Sequence, residues 1–184
     1  MHRISDFMVI GSGVRKIVVE DATCNGPLSA LDLSSFPNVE EFVVGYRCFM
    51  LTKMVRIVEL RRLKRVFIGA KSFSTRDDSD SSCQTLIVRN CPLLKEVIIS
   101  TRCFVYARTC ILKNLPSLEV LDIGDMETRF SSMNFLYSPI ALQGWVGEGV
   151  LWVDLPKLKR VRIGRESFHD CNYAYFESAC AGMV

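Results

Sequence analysis

Apolar residues along the chain return again and again in one arrangement. The pattern L-x-x-V-x-I ends in alternating apolar and polar positions, which is the signature of a short strand with one buried face. It occupies 14–19, 39–44, 63–68, 94–99, 118–123 and 158–163. The starts lie 25 (39−14), 24 (63−39), 31 (94−63), 24 (118−94) and 40 (158−118) residues apart. A steady period of this size predicts a repeat architecture, and the two long intervals then hold insertions of about 7 and about 16 residues.

The residues between strands fill out the unit. Pro37, Pro92, Pro116 and Pro156 stand just before a strand, with Arg61 in that place once. Proline fixes φ and so opens a turn. Gly45, Gly69, Gly124 and Gly164 follow a strand, with Ser100 in that place once. These glycines are expected to end the strand by taking positive φ. An alternating apolar pair precedes each proline turn: Leu31/Leu33, Val55/Ile57, Leu86/Val88, Cys110/Leu112 and Val150/Trp152. Each pair predicts a second short strand. Phe49, Phe73, Phe104 and Phe168 stand four residues past the glycine position. Cys24 takes that place in the first unit. In the unit ending at Gly124 the place falls to Thr128, with Phe130 nearby.

No segment carries an apolar stripe at helical spacing. The expected fold is therefore mostly β with little helix, about six repeats and a parallel β-sheet, in a single domain over 1–184. Residues 1–13 form a cap with a strand at 7–10, and repeats fill 14–178. The step from Phe104 to Cys110, taken from Phe168, predicts a last strand near Ala174 and Phe176. The insertions are 74–82 and 131–149. The first is polar, and its Asp77, Asp78 and Asp80 lack the spacing of a calcium loop. The second carries Phe135, Leu136, Tyr137, Ile140, Leu142, Trp145 and Val146. An apolar loop of that size packs either on its own domain or on a partner.

Parallel stacking brings equivalent positions within about 4.8 Å of one another. The second strand position reads Arg15, Glu40, Lys64, Lys95, Glu119, Lys159, and the third reads Lys16, Glu41, Arg65, Glu96, Val120, Arg160. Signs alternate at nearly every step, as opposite charges on neighbouring strands should. The repeats were aligned on apolar residues alone, so the charges test the alignment independently. The fifth position also faces outward and reads Val18, Val43, Phe67, Ile98, Asp122, Arg162. Four apolar residues beside a charged row predict a surface for a protein partner. The competing reading is that such residues simply suit a strand, or that the Trp145 loop covers them. The candidate partner-binding residues are Val18, Val43, Phe67, Ile98, Glu41, Arg65, Glu96 and Trp145.

Composition narrows the chemistry. The chain is 49% hydrophobic, and 23 Lys+Arg against 20 Asp+Glu leave a net charge of +3. That balance lacks the concentrated basic patch of a nucleic-acid binder. No apolar run is long enough to insert in a membrane. The first six residues lack a signal-peptide layout, so the expected location is cytoplasmic, or the cell surface for a segment of a longer chain. Cys24, Cys48, Cys91, Cys103 and Cys110 replace apolar residues and are expected as buried free thiols. Cys83, Cys171 and Cys180 lie outside that ladder and are the thiols expected to react. No Cys-x-x-Cys pair suggests zinc. Gly11-Ser12-Gly13 opens like a dinucleotide fingerprint, but Lys16 stands where its third glycine belongs. His169-Asp170-Cys171 are sequence neighbours and do not converge as a triad must. The expectation is no enzyme activity, no cofactor and no metal.

The unit Asn114-Leu115-Pro116-Ser117-Leu118, the L-x-x-V-x-I strands, Gly164 and the Ser167-Phe168 pair resemble the leucine-rich repeats of the BspA-like type found in protist and bacterial proteins. The resemblance runs from about Val14 to Phe176. It implies a leucine-rich-repeat solenoid used for protein or surface binding. An alternative role is a structural segment of a larger repeat-containing surface or scaffold protein. No polar cap follows Phe168, an absence that suggests truncation, end-to-end self-association or capping by Tyr173 and Tyr175.

Overall fold

The computed structural model describes residues 11–74, 84–125, 131–135, 149–169, 171 and 174–177. The expected strand at 7–10, nearly all of the polar insertion and residues 136–148 lie outside them. Among the described residues there are twelve strands and no helix. They are β1 (Lys16–Val19), β2 (Ala30–Asp32), β3 (Glu41–Val44), β4 (Met54–Val58), β5 (Arg65–Ile68) and β6 (Gln84–Arg89). Then come β7 (Glu96–Ile99), β8 (Ala107–Lys113), β9 (Val120–Ile123), β10 (Gly149–Val153), β11 (Arg160–Ile163) and β12 (Ala174–Glu177).

The strands form two six-stranded sheets, not one. The first has the order β1-β3-β5-β7-β9-β11 and the second β12-β10-β8-β6-β4-β2. Every pairing is parallel. The expected sheet is the first. The apolar pairs before each turn bond to one another and so build the second, with β12 where the step from Phe168 places it. The chain alternates between sheets, and each strand bonds only to the strands two places away in sequence. Inward side chains of both sheets meet in one core, which runs from Ile17 to Leu155 with Leu158 and Phe168 half-buried against it.

Two kinds of corner join the sheets. From second to first the chain makes a four-residue turn closed by an amide-to-carbonyl bond. Val39 N donates to Phe36 O (3.1 Å), Leu94 N to Cys91 O (3.2 Å) and Leu118 N to Leu115 O (3.0 Å). Pro37, Pro92 and Pro116 hold the second position of these turns, where their fixed φ is wanted.

The other corner departs from the sequence expectation. Gly124 alone among the described glycines has positive φ (92°). The left-handed residues at this corner are instead Ala22 and Cys24, Arg47 and Phe49, Lys71 and Phe73, Arg102 and Phe104, Met133 and Phe135, and Glu166 and Phe168. Gly69 is glycine for want of room, since a Cβ there would stand 2.5 Å from Gly45 O. Real Cβ atoms do not approach a carbonyl that closely, so a side chain would force the strands apart.

The phenylalanines stack into a column. Phe49–Phe73, Phe73–Phe104, Phe104–Phe135 and Phe135–Phe168 have ring centroids 5.1, 5.0, 5.3 and 4.8 Å apart and lie within 10° of parallel. Phe135 is thus the anchor of the fifth unit, although the sequence places it inside the insertion. Thr128 and Phe130 lie outside the described residues. Beside the first four rings one polar side chain ties neighbouring units together, whereas the Ser167 hydroxyl beside Phe168 is buried without a hydrogen-bond partner. Cys48 Sγ donates to Glu20 O (3.0 Å), Ser72 Oγ to Gly45 O (2.8 Å), Cys103 Sγ to Gly69 O (3.2 Å) and Asn134 Nδ2 to Ser100 O (2.7 Å). The backbone N–H groups of Cys48 and Cys103 in turn donate to Ser72 Oγ and Asn134 Oδ1 in the next unit. A buried polar backbone needs such partners.

Candidate functional site

The outer face of the first sheet is built by register. Lys16, Glu41, Arg65, Glu96, Val120 and Arg160 are paired in sequence across its six strands, and so are Val18, Val43, Phe67, Ile98, Asp122 and Arg162. The alternating charges close on one another. Lys16 Nζ reaches Glu41 Oε2 at 2.8 Å, and Arg65 Nε reaches Glu96 Oε2 at 2.7 Å. In the row beside them Glu40 takes Lys64 at 2.6 Å and Arg15 at 3.7 Å, while Glu119 takes Lys159 at 3.0 Å. The hydrogen bonds from Lys64, Lys16 and Lys159 hold the Glu40, Glu41 and Glu119 carboxyls below the usual carboxylate range. Exposed pairs of this kind add little stability. They do fix register and neutralise the row.

The apolar row lies two residues further along each strand. Val18 is 43% exposed, and Val43, Phe67 and Ile98 are half-buried by their neighbours in the sheet. The Arg65 guanidinium stands 5.7 Å from the centre of the Phe67 ring, a cation–π contact at the edge of the row. The three flanking charges and the four apolar side chains are therefore brought onto one face. Trp145 lies outside the described residues.

The row ends at a charge clasp. Asp122 has a side chain only 6% exposed, although its place on the strand is an outward one. Arg160 Nη2 donates to its Oδ2 (3.0 Å), Arg162 Nε to Oδ1 (3.0 Å) and Arg162 Nη2 to Oδ2 (2.5 Å). The hydrogen bond from Arg162 leads in holding the carboxyl below its usual range, and burial works against it. A two-toothed Arg–carboxylate contact is among the stronger charged bonds.

A second feature lies where the strands leave the sheet. The Tyr46 ring has Lys71 Nζ 5.4 Å from its centre and Arg47 Cζ 6.0 Å away, and Lys71 Nζ donates to Tyr46 Oη at 3.1 Å. That bond draws the phenol pKa down. Tyr46 is exposed.

The second sheet also has an outward apolar row. Asp32, Arg56, Ile87, Ile111, Leu151 and Tyr175 are paired across it. Here the charged pair, Arg56 with Asp32 at 3.2 Å, comes first and the apolar residues follow. Aligning the pre-turn strands position by position, as for the first sheet, reveals this row in the sequence.

The cysteines of the apolar ladder are buried and unpaired with one another. Burial pushes the Cys103 and Cys110 thiols up to about 12 and Cys91 to about 11. At those values the nucleophilic thiolate is scarcely populated near neutrality. Cys171 is half-buried and packs against the core, while Cys83 and Cys180 lie outside the described residues. Among the described residues no three His, Cys, Asp or Glu side chains converge on a metal-sized space, and no helix is long and apolar enough to cross a membrane. No protein-family model, curated protein or solved structure matches the chain.

Proposed function

We propose that the chain is a leucine-rich-repeat solenoid, similar to the BspA-like repeats, and that it is a non-catalytic cytoplasmic module binding a protein on the outer face of its first sheet. The alternation of strands between two parallel sheets, at a step of 24 or 25 residues wherever no insertion intervenes, supports the architecture. One observation carries the function: Val18, Val43, Phe67 and Ile98 form an apolar row beside charges that are already paired. Such a row offers dispersion and desolvation to a partner without a buried unpaired charge. Glu41, Arg65 and Glu96 form its rim.

The test is capture of partners by the wild type and by Val43→Asp/Phe67→Asp, side by side with thermal unfolding. The variant is expected to lose the captured protein while its melting temperature stays within about 3 °C, because both side chains point outward. A drop well beyond that shows that the row is core. Capture that survives the double substitution rules out this face as the binding surface.

A further inference from the structure

Where the strands leave the first sheet, hydrogen bonds stack one position of each unit on the next. Ala22 N donates to Tyr46 O (2.7 Å), Arg47 N to Ala70 O (2.9 Å), Lys71 N to Thr101 O (2.8 Å) and Arg102 N to Ser132 O (2.6 Å). Ala22, Arg47, Lys71 and Arg102 therefore form a column along the corner. The rings two residues beyond the three cations, Phe49, Phe73 and Phe104, stack 5.1 and 5.0 Å apart. That distance sets the step between one cation and the next.

This column breaks the rule of the rows on the sheet. There Lys16 takes Glu41 and Arg65 takes Glu96. Here three cations are neighbours, and the ion pairs among the described residues leave all three without a carboxylate. Like charges side by side are destabilising. The left-handed backbone does not call for them, because Ala22, Met133 and Glu166 adopt it at the same corner. Carboxylates stand only toward the ends of the column. Asp21 Oδ1 accepts Tyr46 N (2.8 Å), and Glu166 lies 3.6 Å from Arg165. The positive charge of the middle units is thus confined and unspent.

Tyr46 gives that charge a direction. Lys71 Nζ and Arg47 Cζ stand 5.4 and 6.0 Å from the centre of its ring, so one exposed ring gathers both cations. In the bond from Lys71 Nζ the Tyr46 oxygen is the acceptor, and the phenol proton remains to be donated outward. A tetrahedral oxyanion that accepts charged hydrogen bonds of about 2.8 Å from both sides bridges two cations at this spacing. A phosphate monoester brings about two negative charges near neutrality, which answers three cations better than one carboxylate does. Sites for small molecules are concave and enclose them. Tyr46, Arg47 and Arg102 are exposed, so the anion that fits here is the tip of a larger molecule. A membrane would set many phosphates against a broad basic surface, and a single column bounded by Asp21 and Glu166 is not one.

We infer that Tyr46, Arg47, Lys71 and Arg102 form a docking site for a phosphorylated side chain of a partner polypeptide, with the phosphate between Arg47 and Lys71, the Tyr46 hydroxyl donating to it and Arg102 next in line. This stands independently of the face proposed above, whose residues lie on the strands and not at the corner.

The probe is a short glycine peptide carrying one phosphoserine, titrated into the 184-residue chain while NMR follows the side chains of Tyr46, Arg47, Lys71 and Arg102. Saturable shifts at these four are expected, and the same peptide with plain serine should bind at least about tenfold more weakly. Lys71→Gln should also lose at least about tenfold in affinity. Tyr46→Phe keeps the ring and both cations but removes the phenol donor, and about threefold is expected. Both variants should melt within about 3 °C of the wild type, because the groups removed lie at the surface. Lys113→Gln, at the end of β8 in the second sheet, should bind as the wild type does. A loss there equal to that of Lys71→Gln overturns the inference, since the attraction would then be general. So does equal binding of the serine peptide, or shifts that spare these four residues. Inorganic phosphate binding as tightly as the peptide rules out a polypeptide ligand. Tighter binding to phosphatidylcholine vesicles containing phosphatidic acid replaces it with a membrane.

Discussion

At one position on the outer face of the first sheet, β1 to β7 and β9 to β11 adopt opposite solutions. The first four strands place Val18, Val43, Phe67 and Ile98 there. The last two place Asp122 and Arg162. Register and backbone are the same, so the side chains alone make the difference. Apolar neighbours in a row gain only what they shield from one another, and their outer surface remains for something else. The Asp122 clasp instead spends its bonding capacity internally. One half of the face is thus apolar and the other closed by charge, and the boundary falls between Ile98 and Asp122.

Cutting the column common to both halves has the largest expected effect. Phe104 stacks between Phe73 and Phe135 and is buried. Phe104→Ala should cost about 3–5 kcal/mol, read as a melting temperature lower by about 10 °C, and it should damage both halves alike. Breaking the closed half comes next. Asp122→Ala removes charged hydrogen bonds from a buried site but leaves two arginines that can turn to water, so about 1–3 kcal/mol is expected in chemical denaturation.

Acid gives a gentler version of the same cut. The Asp122 carboxyl is held below its usual range, so its folded pKa lies under its unfolded one. Its contribution is complete above the unfolded value and disappears as pH falls through the folded value. Stability measured against pH should therefore show a component on the acid side that Asp122→Asn lacks. On the open half, Phe67→Asp alone should leave stability almost unchanged yet weaken partner capture. The smallest effect is expected from Glu41→Gln, which removes one exposed rim pair. Its melting temperature should be indistinguishable from wild type at 0.15 M salt.

Much of this was legible in the residues because parallel stacking repeats the same physics at every step. The spacing of L-x-x-V-x-I aligns six strands, and the alternating signs of Lys16, Glu41, Arg65 and Glu96 check that alignment without using an apolar residue. Other features were hidden for definite reasons. Phe135 stands 11 residues past Gly124 (135−124), not four as Phe73 stands past Gly69 (73−69), so counting misses a ring that stacking restores. The glycines suggested positive φ, yet most of the left-handed residues are Arg47, Lys71, Phe73 and their equivalents. Propensity gives way there to the gain from burying the rings. That two arginines of one strand would turn onto Asp122 depends on side-chain paths that a linear pattern does not contain. The apolar row of the second sheet was open to the same alignment that revealed the first.

The pairing of each strand only with those two places away has a mechanical consequence. Tension applied between the two ends of the described chain meets no bond that spans the whole molecule. It loads the terminal unit first, and that unit can peel away while the next keeps its own pairs. A released unit of 24 residues (63−39) would lengthen the chain by about 80 Å when drawn out. The molecule should therefore behave as a series of yielding links, with a saw-tooth force trace whose teeth count its units. The two units with long insertions should give the longest steps.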